Sequence, residues 1–161
     1  MLDKTVFHND NSIRGEIMII SFFGHRSFFG SNKFKNETIE ILKDVSKGEY
    51  IEFYLGCYGS FDDFAYNCAK EYKEKYGNCK LIFITPYLGQ NSRCTNFAKK
   101  CDESIYPEIE KVPLRFSIIE RNKWVVNKSD FIIFYYCWGG GTAIAYEYAT
   151  AKAKKFINIY R

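Results

Sequence analysis

The residues with the plainest chemical capacity lie in one stretch, Arg121-Asn-Lys-Trp-Val-Val-Asn-Lys-Ser-Asp130-Phe-Ile-Ile-Phe-Tyr-Tyr-Cys-Trp-Gly139-Gly-Gly-Thr142. It reads as a helix with a basic start, a Ser-Asp turn, a buried strand over 131–136 and a glycine turn opening another helix from Ala143. A strand that ends in glycines and runs into a helix leaves backbone N–H groups unpaired beside the positive end of a helix dipole. A phosphate can sit there. Three successive glycines, Gly139, Gly140 and Gly141, carry a chain-entropy cost that close approach of backbone to phosphate accounts for. A helix start without a ligand is the alternative.

Two other glycine turns follow strand-like runs. Gly24-His25-Arg26 could offer backbone N–H groups and an Arg fork to a phosphate, or be an ordinary surface turn in which His25 only holds a hydrogen bond. Gly56-Cys-Tyr-Gly59-Ser60-Phe61-Asp62-Asp63 could place an acidic residue against ribose hydroxyls; equally, Ser60 or Asp62 could be a helix N-cap. With one His at a turn and the other, His8, near the start, no Ser/His/Asp pattern can be assigned.

The elements that must position these turns alternate along the chain. Strands are expected at 17–23, 49–55, 80–85, 114–119, 131–136 and 156–160, and helices at 38–45, 62–76, 120–127 and 143–154. A short helix is conceivable at 92–100 in an otherwise aperiodic stretch, 87–113, and residues 1–15 read as a loose extension ahead of a single domain at 16–161. This alternation predicts an α/β fold, with a mainly parallel sheet covered by helices on both faces. Ligands bind beyond the carboxyl ends of such strands, where all three glycine turns fall.

Composition narrows the function classes. The chain has 161 residues, 47% of them apolar, enough for one sizeable core. No apolar run reaches the ~18 residues of a membrane span and no secretory signal is evident, so a cytoplasmic location is expected. The six cysteines show no CxxC and no Cys/His ligand spacing, so neither a metal site, a redox pair nor a cofactor is indicated, and reduced packing thiols are expected. A net charge of +4 with scattered basic residues suits an anionic small ligand and argues against a nucleic-acid surface. Aromatic segments such as Phe28-Phe29 and Tyr135-Tyr136 would be covered either by the core or by a homo-oligomeric contact.

Taken together, Phe-Phe-Gly24-His25-Arg26, the segment Gly56 to Asp62, Pro86-Tyr87-Leu88, Arg121-Asn122, Ser129-Asp130 and Gly141-Thr142-Ala-Ile-Ala-Tyr-Glu147-Tyr-Ala149 resemble the YpsA-like branch of the SLOG superfamily. That superfamily also includes the lonely-guy phosphoribohydrolases and DNA-processing protein A. The resemblance implies a Rossmann-like doubly wound fold and a nucleotide or NAD/ADP-ribose-derived ligand, and it supplies no established reaction. The hydrolases carry an Arg nine residues before an Asp, then Pro-Gly-Gly-x-Gly-Thr-x-x-Glu. Arg121 and Asp130 keep the first spacing, but Trp138 stands in the proline's place and the glycine-threonine pair lies one residue further from the Asp. Ala145 occupies the position three after Thr142, and Glu147 lies five after it. Two residues turn a helical side chain by about 200°, so Glu147 should point away from the place of the hydrolase carboxylate.

Two functions follow as expectations. In the first, Gly24, His25, Arg26, Gly56, Ser60, Phe61, Asp62, Arg121, Asn122 and Gly139 to Thr142 bind a nucleotide-derived small molecule, as a sensor or sequestering protein whose output would need a partner. In the second, a nucleoside 5′-monophosphate N-glycosidase uses Glu147 and Asp130 as catalytic carboxylates, with Asp62 a further candidate.

Overall fold

A computed structural model describes residues 16–89 and 91–161; the expected extension at 1–15 lies outside them. Five helices alternate with six strands: β1 (Ile17–Gly24), α1 (Asn32–Ser46), β2 (Tyr50–Leu55), α2 (Ser60–Tyr76), β3 (Cys79–Ile84), α3 (Ser92–Ala98), β4 (Glu103–Ile105), α4 (Ser117–Lys128), β5 (Phe131–Tyr135), α5 (Gly140–Ala151) and β6 (Phe156–Asn158). They build one all-parallel sheet in the order β4-β3-β2-β1-β5-β6. The chain runs outward from β1 to β4, then crosses back to lay β5 on the other side of β1. The sheet therefore has its topological switch point between β1 and β5, where a crevice opens beyond the strand ends.

Both faces of the sheet are covered, which is why its inner strands are predominantly apolar rather than alternating. Helices α1, α2 and α3 bury Ile39, Leu42, Phe61, Cys68 and Phe97 against Phe22, Phe53, Leu81 and Phe83. On the opposite face α4 and α5 bury Val125, Val126, Ala145 and Ala149 against Phe23, Ile82, Ile132 and Phe134. Small residues on α5 let that helix lie close to the sheet.

Two elements depart from expectation. Residues 114–119 are not a strand: Leu114–Phe116 is a single 3-10 turn that leads into α4 at Ser117. Pro113, with φ −53°, starts this turn, and buried Ser117 begins the helix. The missing strand lies instead at Glu103–Ile105, an exposed edge paired only with β3. Polar contacts hold it: Asp102 accepts the Leu81 N–H at 2.8 Å and pairs with Lys73 at 2.6 Å, and Lys80 pairs with Glu103 at 2.8 Å. Helix α1 also begins earlier than its apolar spacing suggests, because Ser31 caps it by accepting the Phe34 N–H.

Candidate functional site

The ends of β1 and β2, the turns that follow them, the first turns of α2 and α5 and one face of α4 enclose a cleft of about 390 Å³, within the usual size of a small-molecule site. Its wall from α4 is a single helical face, Ile118, Arg121, Asn122 and Val125, spaced i, i+3, i+4 and i+7. Opposite lie Gly24, His25 and Arg26 from the β1 turn, and Gly56, Tyr58, Gly59 and Asp62 from the β2 turn. Gly140, Gly141 and Thr142 of α5 close the third side.

The α5 entry presents bare backbone to open space. Gly139 and Gly140 have φ of +65° and +73°, in the left-handed region that glycine tolerates. Among the described residues no side chain caps this helix end, so its first N–H groups are left over. A Cβ placed on Gly139, Gly140 or Gly141 would meet nothing within 4 Å, which marks open space in front of the turn.

Arg121 is anchored as well as aimed. It is 6% exposed, its Nη1 donates to the Ile84 carbonyl at 2.7 Å and its Nε donates to Asn122 Oδ1 at 2.9 Å. The guanidinium carbon stands 5.8 Å from the centre of the Tyr58 ring. Among the described residues Nη2 has no protein partner, and it is the edge left for the cleft. Burial lowers the Arg121 pKa from its ordinary value, opposed by the negative charge of Asp62.

Asp62 faces the same space. Its Oδ2 accepts the Tyr58 N–H at 2.7 Å. Burial raises its carboxyl pKa, against the lowering effects of that hydrogen bond and of Arg121. Arg121 and Asp62 act on each other through space, yet among the described residues they form no ion pair. One unspent guanidinium edge and one carboxylate oxygen are thus presented separately to whatever fills the cleft.

The remaining expected residues are not brought to this space. Ser60 is a structural tie: its Oγ accepts the Phe28 N–H at 2.6 Å and donates to the Arg26 carbonyl at 2.7 Å. Phe61 is a core residue, 1% exposed, packed beneath Gly24. Gly139 lies just outside the lining and shapes the turn. Asp130 sits at the start of β5, where its Oδ2 accepts the Ile19 N–H at 2.7 Å; with ~3.3 Å per strand residue, that is the far edge of the sheet. Glu147 is exposed on α5 and turned away from the cleft. The proposed hydrolase pair, Glu147 and Asp130, is therefore not assembled, and Asp62 is the carboxylate in the lining.

Sequence reasoning did not single out Ile118 and Val125. Both follow from Arg121 and Asn122 by helical spacing once α4 is known to begin at Ser117. Cys137 also differs from the packing role expected of the cysteines: Cys57, Cys68, Cys79 and Cys94 are buried, but Cys137 is exposed. Phe28 and Tyr135 pack with each other at 4.6 Å between ring centres, whereas Phe29 is 92% exposed.

No protein-family model matches the sequence, and neither does any curated protein. Solved structures with a similar fold include the structural-genomics target TM1055, at 12% identity and a TM-score of 0.52 over 86% of this chain and 72% of that one. Another is DNA processing protein A from Helicobacter pylori, described for its single-stranded DNA binding mode, at 16% identity and a TM-score of 0.57. That match covers 86% of this chain, which spans 63% of the other. A third is the molybdenum cofactor carrier protein from Chlamydomonas reinhardtii, at 17% identity and a TM-score of 0.54 over 88% and 75% of the two chains. At these identities the likeness is one of fold, and it is the Rossmann-like fold that the SLOG resemblance implies.

Proposed function

We infer that the cleft binds a small phosphate-bearing, nucleotide-derived molecule and holds it without cleaving it, as a sensor or sequestering protein does. The observation that carries this reading is the uncapped, glycine-shaped start of α5 in the same cleft as the unspent edge of Arg121. Backbone N–H groups and a guanidinium edge are complementary to a phosphate, and both are fixed before the ligand arrives. Asp62 then accepts ribose hydroxyls, and Tyr58 and Ile118 offer apolar surface to a base. A carrier protein of similar fold is in keeping with a holding role.

The second reading, N-glycoside hydrolysis, keeps one specific support. Asp62 has a carboxyl whose pKa is raised by burial, as suits a proton donor to a leaving base. Among the described residues the lining holds no second carboxylate to stabilise an oxocarbenium ion, which favours binding.

The test is native mass spectrometry and thermal shift of the purified protein with AMP, ADP, ADP-ribose and NAD. Stabilisation with the ligand recovered intact supports the binding reading. Recovery of free base and ribose phosphate moves the assignment to hydrolysis with Asp62 as the acid. No stabilisation by any phosphate-bearing compound overturns both.

A further inference from the structure

The binding reading leaves one pair of reactive side chains unused. Burial holds the thiols of Cys57, Cys68 and Cys101 up at about 12 and that of Cys79 at about 11, so these sulfurs keep their protons at neutral pH. Cys137 has a different setting. It is exposed in the turn between β5 and α5, and its Sγ stands 3.2 Å from His25 Nε2. The same Nε2 accepts the Cys137 backbone N–H at 3.1 Å. That nitrogen therefore presents a lone pair to the turn, and the ring proton belongs on Nδ1. Tyr135 and Tyr136 brace the imidazole, with ring centres 6.2 and 6.0 Å away.

A thiol attacks as its thiolate, and a base within hydrogen-bond reach is the partner such a nucleophile needs. Here the base and the sulfur come from the turns that follow two neighbouring strands, β1 and β5, whose pairing ends at Gly24 and Tyr135 and brings the two turns together. Cys137 is exposed, and its partner His25 lines the cleft. The uncapped end of α5 follows directly in the chain.

We propose that Cys137 and His25 form a thiol-exchange site at the rim of the cleft, with small-molecule disulfides as its substrate class. His25 Nε2 gives up the Cys137 backbone N–H and takes the proton from Cys137 Sγ with the same lone pair, and the sulfur attacks one sulfur of R–S–S–R. A Cys137–S–S–R bond forms as the R–S–S–R bond breaks. The departing RS⁻ takes the proton back from Nε2, so the imidazole ends neutral and RSH is released. Cys137 is oxidised and the released half of the disulfide is reduced; no other oxidant enters. The attached R group then stands beside Gly139 and Gly140 and obstructs the start of α5.

The experiment treats the full folded chain with 5,5′-dithiobis(2-nitrobenzoate), a disulfide whose leaving thiolate is coloured, and maps the adduct by peptide mass spectrometry. One equivalent should react in a fast phase, map to Cys137 and vanish in Cys137→Ser. His25→Gln, which keeps an acceptor for the Cys137 N–H, should slow that phase roughly tenfold or more. Added imidazole should restore it in His25→Ala. The proposal falls if Cys137 in the folded protein reacts no faster than in the urea-unfolded chain, if His25→Gln with unchanged circular dichroism keeps the fast phase, or if that phase maps to another cysteine. None of these readouts depends on whether a nucleotide binds.

Discussion

Two strand-to-helix turns in this molecule share a sequence grammar and differ in what their backbones do. The turn before α2, Gly56 to Ser60, spends its polar groups inside the protein: Tyr58 N–H goes to Asp62, Ser60 N–H goes to the Arg26 carbonyl at 2.9 Å, and Ser60 Oγ ties the same loop again. Gly59 is required there because a Cβ would come within 2.7 Å of Arg26 Cα. The turn before α5 has glycines for another reason. Nothing crowds them, yet two of them hold positive φ and leave the helix start uncapped. A glycine turn is thus available to a ligand when its N–H groups are left over, and a structural joint when they are already taken.

Substitutions can break this contrast. Gly59→Val should destabilise the free protein by about 3 kcal/mol, since the clash is with backbone that cannot swing aside. A urea midpoint equal to that of the parent would mean that the joint is softer than its geometry. Ser60→Ala should cost about 2 kcal/mol by removing both of its short hydrogen bonds; thermal and urea unfolding would measure it, and a neutral outcome would return Ser60 to the ligand. Gly140→Ala should cost only about 1 kcal/mol of stability, the strain of a left-handed side chain. Its nucleotide affinity should fall about tenfold or more, equivalent to ~1.4 kcal/mol. Unaltered affinity by calorimetry would place the phosphate elsewhere.

The smallest effect concerns Asp62. Its folded-state pKa is raised above the unfolded value, chiefly by burial, so folding favours the protonated form. Stability from this group is present below the unfolded carboxylate value and is lost as pH rises through the raised folded one. Asp62→Asn should flatten the fall in urea midpoint above about pH 4 that the parent shows. Identical pH profiles for the two proteins would show that Asp62 is solvated like a surface carboxylate.

The arrangement of the site was more legible in the sequence than its boundaries. Strands β1 and β5 are continuous β-rich runs, and glycines mark their ends, so Gly24 and Gly140 could be placed at one sheet edge from pattern alone. Arg121 and Asn122 fell on the right helix, but the alternation of Leu114-Arg-Phe-Ser-Ile-Ile119 imitates a strand and concealed the first turn of α4. Ile118 was lost with it. Strand β4 gave no signal because an exposed three-residue edge is held by Asp102 and Glu103 rather than by apolar burial. Phe61 and Ser60 illustrate a different limit: within a segment at the mouth of a site, spacing does not tell which side chains turn inward. Burial and hydrogen-bond partners decide that.

Gly24 carries a consequence of another kind. A Cβ on it would lie 2.2 Å from the Phe61 ring, itself locked between Phe28, Phe64 and Tyr135. The floor of the cleft is therefore the roof of the aromatic core, one layer of atoms serving both. A lineage cannot deepen or reshape that floor one residue at a time without first reorganising the interior. Diversification of what the cleft accepts is channelled toward its walls and rim, to side chains such as those of Ile118, Arg26 and Trp138, which do not form that shared layer.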